Sequence, residues 1–155
     1  MTQSTKRSVG NLSYVFKAHV VCDAPWAWTF PKTYTFTYGN NVVVADYTFL
    51  NDSANSDYIY PQLNFTLNSA GTYFTLVNKT DSNRTFQFTG LNNGETIQVD
   101  NDRQIIVSSV PYAHRLSNFI GYKWFRLLPG VNLLSINAAI GTFSITYNLA
   151  RKIGG

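Results

Sequence analysis

The chain has 155 residues, the size of one domain, and a formal net charge of +4. Hydrophobic residues make up 45% and charged residues 13%, about half the ~25% usual in soluble domains, which excludes a disordered charged tail. Nor does the positive excess form a nucleic-acid footprint. Lys6-Arg7 and Arg151-Lys152 are adjacent pairs near the two ends, and the other basic residues stand singly between them.

Cys22 is the sole cysteine, so neither an intrachain disulfide nor a cysteine-built zinc site can form. Met1 to Gly10 is polar and lacks the apolar h-region of a secretory leader. No run approaches the roughly 20 apolar residues that span a bilayer, so a soluble molecule without membrane insertion is expected.

The periodicity is two almost throughout. From Leu12 to Cys22 the even positions Leu12, Tyr14, Phe16, Ala18 and Val20 are mainly apolar, whereas Ser13, Lys17 and His19 alternate with them, which predicts a first strand with one buried face. Thr33 to Tyr38 alternates threonine with aromatics, Gly39-Asn40-Asn41 supplies turn chemistry, and Val42 to Phe49 follows, which predicts a hairpin. Asn51 to Asp57 is small and polar and reads as a loop. Ile59, Leu63, Phe65 and Leu67 then mark the next strand, with Pro61 near its start or at an edge.

Four short strands are predicted at Tyr73 to Val77, Arg84 to Thr89, Glu95 to Asp100 and Arg103 to Ser108, the last two joined by an Asn101-Asp102 turn. Pro111 to Gly121 reads as a loop with room for one or two helical turns. Tyr122 to Leu128 is predicted as a strand, and Pro129-Gly130 as a turn. Asn132 to Asn137 and Thr142 to Leu149 are expected to close the fold as a pair, with Phe143, Ile145, Tyr147 and Leu149 on one face. The sum is an all-β fold, an antiparallel β-sandwich of jelly-roll or galectin-like type. It is expected over residues 12–150, with residues 1–11 a flexible segment and 151–155 a frayed tail.

Catalytic chemistry is poorly supplied. Glu95 is the only glutamate, and Asp100 and Asp102 flank a hairpin turn, so neither a paired-carboxylate site nor a calcium loop is expected. His19 and His114 lie far apart, outside any metal-ligand or triad spacing, and Cys22 on an apolar strand face reads as an inert thiol. No phosphate loop or nucleophile elbow occurs, and neither enzyme activity nor a cofactor is expected. The aromatics say more. Trp26 and Trp28, two apart, project to one side of an extended segment, as do Tyr122 and Trp124. Such pairs suit an interface or a stacked sugar ring, or else core packing, the favoured alternative for Trp124.

A succession of segments resembles a known family. Phe16 and Val20 lead into Cys22-Asp23-Ala24-Pro25-Trp26; Pro61 stands before Leu63 and Phe65; Phe86-Gln87-Phe88-Thr89-Gly90-Leu91 and Gly94-Glu95-Thr96-Ile97-Gln98-Val99-Asp100 follow. Trp124 to Leu128, Pro129-Gly130-Val131-Asn132 and Phe143-Ser144-Ile145-Thr146-Tyr147 complete the order. In this the chain resembles the C-terminal galectin-like domain of the distal tail proteins of long-tailed, non-contractile bacteriophages. The resemblance implies a virion structural protein at the distal end of the tail. It also implies contacts with the tail tube, the tail hub or tail-associated lysin and the receptor-binding protein, and, in the full-length family, a hexameric ring. Two departures stand out. Ala24 separates Asp23 from Pro25, adjacent in many relatives, and the ring-forming N-terminal domain has no recognised counterpart, so Met1 to Asn11 is expected to begin a piece of a longer chain. The alternative from another class is a carbohydrate-binding module reading host-surface glycans through Trp26 and Trp28.

Overall fold

In a computed structural model the protein is described over residues 2–9, 12–19, 26–39, 43–68 and 72–152, with backbone alone for 2–9, 12–19 and 43. Strands β1 (Thr2–Val9) and β2 (Leu12–His19) pair antiparallel with each other in a two-stranded sheet. Another short pair joins β3 (Trp26–Trp28) to β14 (Ala150–Lys152). Between them in sequence lie β4 (Lys32–Thr37), β5 (Val43–Asn51), β6 (Gln62–Leu67), β7 (Phe74–Asn78) and β8 (Arg84–Phe88). The series continues with β9 (Thr96–Asp100), β10 (Ile105–Ser108), β11 (Phe119–Ile120), β12 (Gly130–Ala138) and β13 (Ile140–Tyr147). A single 3₁₀ turn, Leu116–Asn118, is the one helical element among the described residues.

Two antiparallel five-stranded sheets result, ordered β10-β9-β6-β13-β4 and β11-β8-β7-β12-β5. Each strand turns alternate residues inward, and the two inner faces meet in one aromatic layer. Phe65 of the first sheet stacks on Phe74 of the second, ring centroids 3.9 Å apart and nearly parallel. Phe143 lies 5.7 Å from Phe74, and Phe86 and Phe88 pack on Phe119. Burying each such ring stabilises the fold by about 1.5–3 kcal/mol, enough in sum to dispense with a disulfide. The all-β sandwich read from the sequence is therefore the fold.

Its pairings depart from the expected ones. β4 and β5 are not a hairpin: β4 pairs with β13 and β5 with β12, in opposite sheets. Their aromatic faces meet across the sandwich instead, with Phe36 4.3 Å from Tyr47 and the Tyr38 and Tyr47 hydroxyls hydrogen-bonded. β12 and β13 likewise separate, the chain crossing from one sheet to the other at Ala139. The β9–β10 hairpin forms, but through residues 101–104 rather than Asn101-Asp102 alone, with Gln104 in the left-handed region at φ 60°.

Residues 122–128 are no strand. Only Leu127 makes a bridge, to Ile59. Side chains take over the backbone groups that a ladder would use: Arg84 Nε donates to the Trp124 carbonyl, Phe125 N–H to Asn101 Oδ1, Asn78 Nδ2 to the Arg126 carbonyl, and Leu128 N–H to Asn132 Oδ1. At the N-terminal end, Thr2–Val9 and Leu12–His19 pair with each other and with no strand of the two five-stranded sheets. Arg151 and Lys152 belong to β14. The His19 side chain, Cys22 and the motif at 20–25 lie outside the described residues.

Candidate functional site

The outer face of the β10-β9-β6-β13-β4 sheet is a polar surface ordered by strand register. Residues pointing away from the core fall into rows fixed by strand register. In the central row Gln98 of β9 stands opposite Asn64 of β6, Asn64 opposite Ser144 of β13, and Ser144 opposite Thr35 of β4. The row toward one end runs Asp100, Gln62, Thr146 and Thr33, with the Thr33 and Thr146 hydroxyls 2.8 Å apart. Toward the other end Thr96 and Thr66 join hydroxyls at 2.9 Å. Period-two alternation produces this arrangement: on β6, β9 and β13 the residues in these rows carry amides, hydroxyls or, at Asp100, a carboxylate, and the residues alternating with them are core hydrophobes.

Two contiguous hollows cover the face. One, of about 410 Å³, has Asn64, Gln98 and Ser144 on its floor and Ile105 and Val107 of β10 on its flank. The other, about 520 Å³, shares Gln62, Asp100, Arg103 and Thr146 with it and is walled by Trp28, Tyr58 and Tyr60. Trp28 is 62% exposed, and Tyr58 and Tyr60 are also exposed.

Charge is confined to the end of this groove. Asp100 accepts the backbone N–H groups of Asp102 and Arg103 on one carboxylate oxygen, the geometry of a turn-forming aspartate, and its other oxygen lies 3.9 Å from Arg103. Beside it Tyr58 carries the Arg126 guanidinium over its ring at 4.1 Å. Arg126 is held in turn by a two-point ion pair with Asp81, at 2.7 and 3.0 Å, which keeps the Asp81 carboxyl below its ordinary range against the opposing effect of burial.

The single glutamate is a structural group. The Glu95 side chain is fully buried; Arg115 pairs with both of its oxygens at 2.7 and 2.9 Å, and Ser108 Oγ and the Asn92 N–H donate to it. Burial pushes this carboxyl up, but the Arg115, Ser108 and Asn92 donors outweigh it and hold it low. His114 is exposed, and among the described residues no three His, Cys, Asp or Glu side chains gather as metal ligands would.

The four aromatics singled out in the sequence go to separate places. Trp26 and Trp28 do share one side of β3, and Trp28 lines the groove. Trp124 is half-buried against the core, 5.0 Å from Phe119, and Tyr122 stands 62% exposed at φ 50° in the turn beside it. No ring contact joins the two pairs among the described residues. Sequence reasoning missed Tyr58, Tyr60 and the amide floor. The available signal was the outward half of each alternation, Gln62-x-Asn64-x-Thr66 and Thr96-x-Gln98-x-Asp100.

Comparison with known proteins gives two findings. A family model described as phage tail C-terminal domain matches residues 26–147. The crystal structure of the SPP1 Dit (gp 19.1) protein, described as a paradigm of hub adsorption apparatus in Gram-positive infecting phages, superimposes with a TM-score of 0.60 at 11% sequence identity, over 97% of this chain and 58% of that one. This chain thus spans less than two thirds of the chain it resembles. No curated protein matches the sequence.

Proposed function

The chain belongs to the phage tail C-terminal domain family, and from that premise we propose that it is a non-catalytic docking module at the distal tip of a bacteriophage tail. The observation carrying this reading is the family match over residues 26–147; the likeness of its sandwich to a protein described as a hub of an adsorption apparatus supports the distal position. Its partners are other tail proteins: the tail tube, the hub or tail-associated lysin, and the receptor-binding protein, with a hexameric ring in the full-length family.

The outer face of the β11-β8-β7-β12-β5 sheet suits such contacts. Val131 and Leu50 stand opposite each other in register and are exposed, as are Leu133 and Val44 on the same two strands. The Lys79–Asp46 ion pair stands on the same face, with Asp46 between Val44 and the group of Leu50, Val131 and Leu133, so this surface combines apolar side chains with a charged pair.

Electron microscopy of the parent virion labelled with antibody fragments raised against this chain tests the reading. Label is expected at the tip of the tail. Label on the capsid, the neck or the length of the tube would overturn it.

A further inference from the structure

The two sheets end in β10, β4, β11 and β5, and of these β5 is left as a template. β10 and β11 have four and two residues, and the connection between them is fastened by Arg115 on Glu95 and by Asn118 on the Thr89 carbonyl. β4 has six residues and carries Lys32. β5 runs nine residues in one unbroken register with β12, and it has no proline, lysine or bulge, the devices that ordinarily blunt an edge. Among the described residues none hydrogen-bonds its backbone on the side away from β12, where every second residue turns out an N–H and a C=O.

The flank beside this edge selects what can pair with it. Between β4 and β5 lies a cleft of about 440 Å³ lined by Tyr34, Phe36, Tyr47, Phe49 and Tyr147, with Tyr34 45% exposed. A strand laid antiparallel on β5 sends alternate side chains toward this cleft opposite Phe49 and Tyr47, and sets the others beside the exposed Leu50 and Val44. Lys32 also lines the cleft, at the end where β5 leads into Asp52; Asp52 is taken by Arg151, so Lys32 has no carboxylate of its own. An antiparallel strand begins at that end. A second copy of β5 centred on Tyr47 would bring the Val43 position there and leave Lys32 unanswered. We propose that β5 accepts an extended segment of another tail protein as an added strand, apolar at the positions that enter the cleft and acidic near its N-terminal end, where it meets Lys32. The proposal rests on the tail reading for the source of the partner, and it deepens that reading by turning the apolar β5–β12 face into main-chain pairing.

Photo-crosslinking in the parent virion tests it, with a benzophenone amino acid in place of Thr48 on β5 and mass spectrometry of the adduct, alongside hydrogen exchange of virions and of the isolated chain. The expected adduct joins β5 to another virion protein through a segment in which an acidic residue precedes alternating apolar ones. Exchange of β5 amides should be at least tenfold slower in the virion than in the isolated chain. Val44→Lys with Leu50→Lys, which guards the edge, should abolish both the adduct and the slowing, whereas Ile105→Lys on β10 should leave both; thermal unfolding of the isolated variants checks that the fold is kept. An adduct to a second copy of this chain, β5 exchange alike in virion and isolated chain, or an adduct that survives in the folded Val44→Lys, Leu50→Lys variant would overturn the proposal. With antibody label at the tail tip, any of those results removes the added strand and leaves the tail reading standing; label elsewhere overturns the reading itself.

Discussion

Asn132 does work at the residue scale that no strand does. Fully buried, it donates to the Leu128 and Gly130 carbonyls and accepts the Leu128 N–H and the Asn78 amide, while Asn101 ties the Pro61 carbonyl to the Phe125 N–H. Asn132→Ala removes those partners and leaves buried backbone groups unpaired; a loss of about 3 kcal/mol is expected by denaturant unfolding. Glu95→Gln should cost roughly 2–4 kcal/mol on the same assay, because Arg115 then keeps a buried position with no counter-charge. The sign of the pH effect follows from the lowered carboxyls of Glu95 and Asp81. Their contribution is present above the ordinary carboxylate range and is lost as pH falls through the lower folded-state values, so thermal stability should drop in acid and the Glu95→Gln variant should lose less of it. None of these asparagines was legible as a structural clamp. In sequence Asn101 reads as a turn former and Asn132 as the start of a strand, and only the fold shows which carbonyl each meets.

At the scale of elements, the alternation of Leu63, Phe65 and Leu67, or of Phe143, Ile145 and Tyr147, declared which face each strand buries, and the structure buries those faces. Which neighbour a strand pairs with was not legible in the same way. Thr33–Tyr38 and the segment after Gly39 have matching aromatic faces, and such faces satisfy a hairpin and a face-to-face packing equally well; the distinction rests on β12 and β13, a hundred residues downstream. The strand expected at 122–128 failed for a different reason, since the side chains of Arg84, Asn101, Asn78 and Asn132 take the backbone groups that a neighbouring strand would have used. Phe74→Ala should cost about 3–5 kcal/mol, as it empties the centre of the layer between Phe65, Phe86 and Phe143. Gln104→Gly should leave stability unchanged or raise it by up to about 1 kcal/mol, measurable as a shift in denaturation midpoint, because the β9–β10 turn holds that residue at positive φ.

For the whole molecule, the pairing of β3 with β14 sets Trp26 opposite Lys152, bonds the Thr29 N–H to the Leu149 carbonyl at 2.8 Å, and brings Asn148 and Leu149 onto Thr29. The resemblance seen in the sequence covered much of this stretch and foretold the family, whereas the joining of its two ends was hidden, since three-residue strands carry no readable period. A circular permutant that links residue 152 to residue 26 and opens the chain in the exposed turn at Asn92 to Gly94 should therefore refold with the same cooperative melt. Entry and exit through one doorway make the sandwich a cartridge. Whatever precedes Trp26 and whatever follows Lys152 depart from the same corner, so a longer host chain could carry this unit as a pendant, plugged in or removed without rerouting its own backbone.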